Sequence, residues 1–470
     1  MNKVFTLVFA LLIFSFSQTL GQPSTVTVGS TTLDVREVIG DVDIPWEIQW
    51  GPDSHIWMTE RFGRVSRLNP TTGVRTTILD LTSSVYASSE SGLLGFILHP
   101  DFENTPQVFL AYTYYNGGIK ERIVRYNYNS TSGMLDSPLT LIEGITGHTT
   151  HIGCRLLILP DNTMLATTGD YRNDPIAQDE SSLSGKTLRM NLDGTIPSDN
   201  PFGPTSYLYS KGHRNAQGLV LAPNGKIYSS EHGPDSNDEL NILVPGANYG
   251  WPEVEGFCNQ GWETSWCSGV SSYEDPIAIW FEGSTIAPSD LVWYDHPAIP
   301  EWQGKMLMTV LKNKHLKEIE VDNIDGTSVV SEVIWFQNTF QRLRDILVAP
   351  DGRVFLATNG NSWSNTNPNT HSIYELKNSS YVPKGIDETN LTLETRIFPN
   401  PSAGDLNIVF DKKLVGGNFT ITDRIGRTVF SGKLNAMQQN VDLSNVASGL
   451  YILQAQNDNY ASHERILITE

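Results

Sequence analysis

Positive charge is scarce in this chain. Its 470 residues carry 32 Lys and Arg against 52 Asp and Glu, a formal net charge of −20. That balance argues against nucleic acid or an anionic membrane as the main partner. Helical periodicity is nearly absent, so short strands must supply the core. Long apolar runs are missing beyond the first 21 residues, so no membrane span is expected. Those first residues read as an export signal: Lys3, an apolar stretch from Val4 to Phe16, then small residues at Thr19-Leu20-Gly21. Cysteine is limited to three. Cys258 and Cys267 flank a short loop and can close a local disulfide in an oxidising compartment, whereas a zinc site lacks two further ligands at suitable spacing. Cys154 lies in an apolar strand context and reads as a small buried residue, not a nucleophile.

What is present is a repeat. A Pro followed by Asp or Asn, a turn, and an alternating strand recur at Pro52-Asp53, Pro100-Asp101, Pro160-Asp161, Pro223-Asn224 and Pro350-Asp351. A degenerate copy at Gln303 to Thr309 makes six. Turn-punctuated strands at this spacing predict an all-β chain built as a six-bladed β-propeller over residues 30–377. The repeated strands end in polar clusters: Glu60-Arg61, Gly169-Asp170, Glu231 to Pro234, Leu311-Lys312 and Asn359. With those strands innermost, their ends would converge on one concave mouth, the usual place for a ligand. A polar linker is expected over 378–394, and a small β-sandwich over 395–470.

The densest chemistry lies between Gly212 and Pro252. It gathers the pair Arg214-Asn215, the turn Gly233-Pro234, the acids Asp235, Asp238 and Glu239, and the run Asn248-Tyr249-Gly250-Trp251. Carbonyl and carboxylate oxygens suit a hard cation such as Ca2+. A guanidinium beside them suits an anionic or carbonyl-rich ligand.

Taken with Ser91 to Gly95, His99 to Phe102, His151 to Leu156, Gly185 to Arg189, Asp193 to Pro197, Thr285 to Ser289 and Arg342 to Asp345, this segment resembles the soluble glucose/sorbosone dehydrogenases. Those are six-bladed propellers that oxidise aldose sugars with pyrroloquinoline quinone (PQQ) and calcium. The resemblance implies His151 as general base, Asp170 as its orienting carboxylate, and Arg214 at the reacting centre. It implies that Arg214, Asn215, Lys312, Arg342, Arg344 and Thr285 hold PQQ, with Trp280 or Phe281 covering the ring. Calcium would take main-chain oxygens at Gly233 and Pro234, and a second calcium would use Asp238, Glu239 and the carbonyl of Tyr249. Electrons would pass to a separate acceptor.

Three positions depart from the family's best-known members. Thr150 replaces an acid before the base, Glu90 replaces a glutamine, and Gly283 replaces an aromatic, so glucose itself is not implied as the sugar. A calcium-dependent lactonase would need the metal and a base but not the cations Lys312, Arg342 and Arg344. A sugar-binding propeller without catalysis is the remaining alternative. Beyond the linker, Arg396 to Ser402 with its Pro399-Asn400-Pro401, together with Ser448 to Leu453, resembles the C-terminal sorting domain of type IX secretion. That implies the secretion machinery as a partner and delivery to the cell surface or beyond.

Overall fold

The computed structural model describes residues 22–281, 283–362, 370–382, 395–424, 426–457 and 461–469. The expected export signal (1–21) and most of the expected linker (383–394) lie outside the described residues. The chain divides into two compact units, Met1–Tyr381 and Val382–Glu470.

The first unit is a β-propeller assembled from five four-stranded antiparallel sheets and one of five strands. The sheets begin with the strands Pro45–Trp50, Leu93–Leu98, Gly153–Ile158, Ala216–Leu221, Pro288–Tyr294 and Leu343–Val348. Each of these strands touches the corresponding strand of the next sheet, and Leu343–Val348 touches Pro45–Trp50, so the ring closes. The five-stranded sheet joins both ends of the unit. Thr31–Val42 pairs with His371–Lys377, which pairs with Val354–Thr358. Apolar clusters fill the gaps between neighbouring sheets, such as Trp46, Leu94, Cys154, Leu156, Met164 and Met190 in one of them.

The repeated strands found in the sequence are therefore the second of each sheet, not the innermost. The Pro-Asp turn is the hairpin that links the first strand to the second. Antiparallel pairing still brings the polar clusters to the mouth, because Pro45 faces Glu60, Gly153 faces Thr168, Ala216 faces Glu231 and Leu343 faces Thr358. All six first strands carry a bulge directly after their opening residue. Such bulges bend a strand and re-aim side chains. Here they do so six times around one rim.

Arg155 lies on the axis and is buried. Its guanidinium reaches Glu47, Asp345 at 2.9 Å and Asp290 at 3.4 Å, and its Nε donates to the carbonyl of Gln217 at 2.7 Å. Each partner belongs to a different first strand. One side chain thus ties five of the six sheets together. Three carboxylates share this single cation, and burial pushes Glu47 up to about 7 against the pull of Arg155.

The loop expected between Cys258 and Cys267 is instead the helix Gly261–Gly269, and the disulfide clamps it. Gln260 and Glu263 form a reciprocal capping box at its start, which satisfies two N–H groups that the first turn leaves open. Cys154 is buried, with its thiol against Glu121. The second unit has a three-stranded and a four-stranded sheet. They share one core that includes Ile408, Phe419, Ile421, Leu453 and Ile466. No described helix is long and apolar enough to cross a membrane.

Removing the axial cation leaves three buried carboxylates facing one another. Arg155→Met is expected to cost about 3–5 kcal/mol of stability in urea unfolding; a loss under about 1 kcal/mol would mean that the cluster behaves like an exposed pair. The acids also set a pH dependence. Because the folded-state pKa of Glu47 is raised, its contribution is full below the ordinary carboxylate range and is lost as pH climbs to about 7. Melting temperature should therefore fall between about pH 5 and about pH 8, and Glu47→Gln should flatten that fall.

Candidate functional site

At the bulged end of the first strands lies a cavity of about 350 Å3. Ile44, Trp46, Arg61, Ser89, Glu90, Gln217, His232, Ala287, Leu311, Lys312, Arg342, Arg344 and Asn359 line it. Trp46 separates it from the axial cluster, with Arg155 4.5 Å from its ring and Arg344 5.6 Å from the same ring. A flat indole between two guanidinium groups forms a floor that is both planar and cationic.

Lys312, Arg342 and Arg344 come together here. Lys312 sits at the exposed mouth and donates to the Thr285 hydroxyl at 3.1 Å. Arg342 and Arg344 are buried. Burial pushes Arg342 down to about 10, and burial with the neighbouring Arg342 pushes Arg344 down to about 9. Both remain charged at neutral pH. Arg344 donates to Gln217 at 2.7 Å, yet its Nε has no partner. Buried cations with open donors call for an anion between them.

Beside this cavity is a smaller one lined by Arg214, Glu231, Gly233, Pro234, Glu239, Trp251 and Glu255 among others. His232 lines both. Its Nε2 lies 2.6 Å from the carbonyl of Pro288, so it carries the proton there. Burial, with Arg214 and Arg344 nearby, pushes its pKa down to about 3 and keeps it neutral. Arg214 donates to the carbonyl of His232 at 3.2 Å and lies 5.4 Å from the Trp251 ring, with its own Nε unpartnered. Asn215 accepts from the Gly153 N–H at 3.1 Å, and its amide nitrogen is likewise open. Glu231 fixes the pair by accepting the backbone N–H groups of both Arg214 and Asn215.

His151 lines neither cavity but is tied to a lining residue of each, to Glu90 directly and to Trp251 through Asp170. Its backbone N–H donates to Glu90 at 3.0 Å, and its Nδ1 lies 2.7 Å from Asp170. Asp170 also accepts from the Trp251 indole at 2.9 Å and from the Arg172 N–H at 2.8 Å. Burial alone would raise Asp170, but the hydrogen bonds from His151 and the Arg172 N–H, with Arg214 nearby, hold the carboxyl below its usual range. With Nδ1–H committed to Asp170, Nε2 keeps its lone pair, the arrangement of an oriented base. The backbone is shaped for it: His151 has φ +56°. A Cβ on Gly169 would come within 1.9 Å of the His151 carbonyl, so only glycine fits opposite.

The remaining expected residues sort differently. Asp238 spends its carboxylate on the backbone N–H groups of Gly233, Ile286 and Ala287. It thereby staples the Gly233-Pro234 turn to the segment that carries Thr285. Glu239 accepts from the Gly256 N–H at 2.9 Å and from Asn241 at 3.0 Å, and burial together with Glu231 pushes it up to about 8. Tyr249 is packed against His213, with ring centroids 4.7 Å apart. Among the described residues, no group of three His, Cys, Asp or Glu side chains is poised around a metal.

Trp280 is not at the cavity. It lies in the last strand of its sheet opposite Asp238, buried with Met306 and Met308, and its indole donates to Glu332 at 2.7 Å. Phe281 is 61% exposed. The sequence reading missed Trp46, Arg61, Gln217, His232 and Trp251. Arg61 and His232 were visible as parts of the polar strand ends, Gln217 and Trp251 lie in the Gly212 to Pro252 segment but were given no role, and nothing local marks Trp46.

Comparison with known proteins assigns the chain's family. A family model described as Glucose / Sorbosone dehydrogenase matches residues 42–364, and one described as Secretion system C-terminal sorting domain matches 396–469. The latter marks the chain for export to the cell surface or beyond. Quinoprotein glucose dehydrogenase B of Acinetobacter calcoaceticus is 31% identical over 406 residues, 69% of this chain and 85% of that protein. Aldose sugar dehydrogenase YliI of Escherichia coli is 28% identical over 360 residues, 72% of this chain and 93% of that protein. The PQQ-bound structure of aldose sugar dehydrogenase from Streptomyces coelicolor superposes with a TM-score of 0.63 at 30% identity, covering 76% of this chain and 99% of that one. With the family model spanning well over half its length, this chain belongs to the glucose/sorbosone dehydrogenase family of sugar-oxidising oxidoreductases.

Proposed function

We propose that the protein is an exported, PQQ- and calcium-dependent dehydrogenase that oxidises the C1 hydroxyl of an aldose to the lactone. The observation that carries this reading is the cavity that Lys312, Arg342 and Arg344 share with the Trp46 indole, with Arg344 5.6 Å from its ring. Three cations on one planar floor match a flat tricarboxylate, and the open donors on Arg344, Arg214 and Asn215 match its carboxylate and carbonyl oxygens. A lactonase or a simple sugar-binding propeller has no use for that set.

The six sheets are the six blades, and the two C-terminal sheets form a β-sandwich behind a linker at 378–394. Residues 1–21 direct export, and the C-terminal unit engages the type IX machinery. Gly233 and Pro234 would hold calcium through main-chain oxygens, with Glu231 and Glu239 lining the same pocket. Asp238 shapes that turn through its contacts with three backbone N–H groups. When bound, the quinone would accept two electrons and the C1 hydrogen while calcium polarises its carbonyl.

The chain's own residues do the rest. His151 Nε2 takes the proton of the C1 hydroxyl. Asp170 holds the Nδ1 proton in place and stabilises the imidazolium that results, while Trp251 and Arg172 keep the carboxylate aimed. His232 stays neutral and adds no charge beside the developing imidazolium.

Reconstitution tests the reading. Adding PQQ and Ca2+ to the apo-protein should produce dye reduction with at least one aldose from a panel; failure to bind PQQ at micromolar concentration would favour the binding-propeller alternative. His151→Ala should lower kcat by about two to four orders of magnitude with nearly unchanged PQQ affinity. Parallel loss of PQQ binding would assign His151 to architecture instead.

A further inference from the structure

We infer that Arg61 is a carboxylate receptor in the wall of the larger cavity, a role that rests on reading that cavity as an anion site. Arg61 is 2% exposed, it lines the cavity, and both its Nε and one terminal nitrogen lack any hydrogen-bond partner. Its backbone is fixed from both sides: the N–H donates to the Ile44 carbonyl at 3.0 Å, and its carbonyl accepts from the Leu93 N–H at 2.8 Å. Room for the side chain is built in. A Cβ on Gly92 would come within 2.5 Å of the Arg61 Cγ and 2.3 Å of its carbonyl oxygen, so the glycine leaves the space in which the chain lies.

A buried guanidinium with open donors is costly unless an anion completes it. Its neighbours do not. Glu90 is the anion that faces it within the cavity, but the same carboxylate accepts the His151 N–H and also faces Arg342 and Arg344. Asp43 acts on it only as a charge. Burial consequently pushes Arg61 down to about 10, in the manner of Arg342. The planar fork of donors matches a carboxylate in two-point contact. That carboxylate has two sources: the cofactor, or a sugar acid such as a uronate bound beside His151.

The test uses the full secreted chain as wild type, Arg61→Met and Arg61→Lys, each checked for an unaltered melting temperature. PQQ is titrated in the presence of Ca2+ and followed by tryptophan quenching, and then KM is compared for glucose and glucuronate. A PQQ dissociation constant raised about tenfold to a hundredfold in Arg61→Met, with Arg61→Lys in between, assigns the cofactor's carboxylate. Unchanged PQQ binding with loss of a wild-type preference for glucuronate assigns the substrate's. If PQQ binds all three proteins alike and the sugar preference does not move, the inference is wrong. Should the wild type bind neither PQQ nor the sugar acid, the anion-site reading itself falls. Where Arg61→Met fails to fold, Arg61→Lys carries the same comparison.

Discussion

Arg155 on the propeller axis is the constraint from which the rest of the structure follows. Five first strands meet at its guanidinium, through Glu47, Asp290, Asp345 and main-chain carbonyls. Buried charges of this kind are expensive to assemble and more expensive to break. The cluster also divides the axis into two chambers, since Arg155 lines the cavity at the opposite end while Trp46 rests over it on the functional side. The axis is therefore layered in charge: excess carboxylate around Arg155, then the indole, then Arg61, Lys312, Arg342 and Arg344. Arg344 feels that layering from both signs: burial, Arg342 and Arg155 push its pKa down, while Glu90 and Asp345 pull it up.

Local sequence carried the architecture further than the site. The five Pro-Asp or Pro-Asn turns were legible because each is a hairpin with a strong turn signature, and with the degenerate copy at Gln303 to Thr309 they give six repeats. Which strand lies innermost was not legible, because that depends on packing around the ring. Lys312, Arg342 and Arg344 were found as cations at strand ends and do share one cavity. Trp46 carries no local mark, since its meaning arises only when Arg155 and Arg344, more than a hundred residues away in sequence, come to flank it.

Two residues show how much of a side chain's setting a motif leaves unstated. Asp238 looks like an ideal oxygen ligand in a Gly-Pro turn, yet three backbone N–H groups use its carboxylate. Backbone donors leave no trace in the sequence, so this use could not be read there. Trp280 sits near the expected aromatic position but falls in a strand paired with Asp238, and the pairing turns it into the space between two sheets. A shift of one residue along a strand reverses the face. Phe281, its neighbour, correspondingly points outward into solvent.

The five-stranded sheet has a further consequence. Arg36 and Glu37 pair with Glu375 and Tyr374, and Ser372 donates to Glu37, so contacts that complete the ring join positions more than three hundred residues apart. Leu343–Val348 already packs on Pro45–Trp50, and this strand pairing adds a second closure between the two ends of the unit. Trimming the unit from its N-terminal edge and trimming it from its C-terminal edge would therefore damage one and the same sheet.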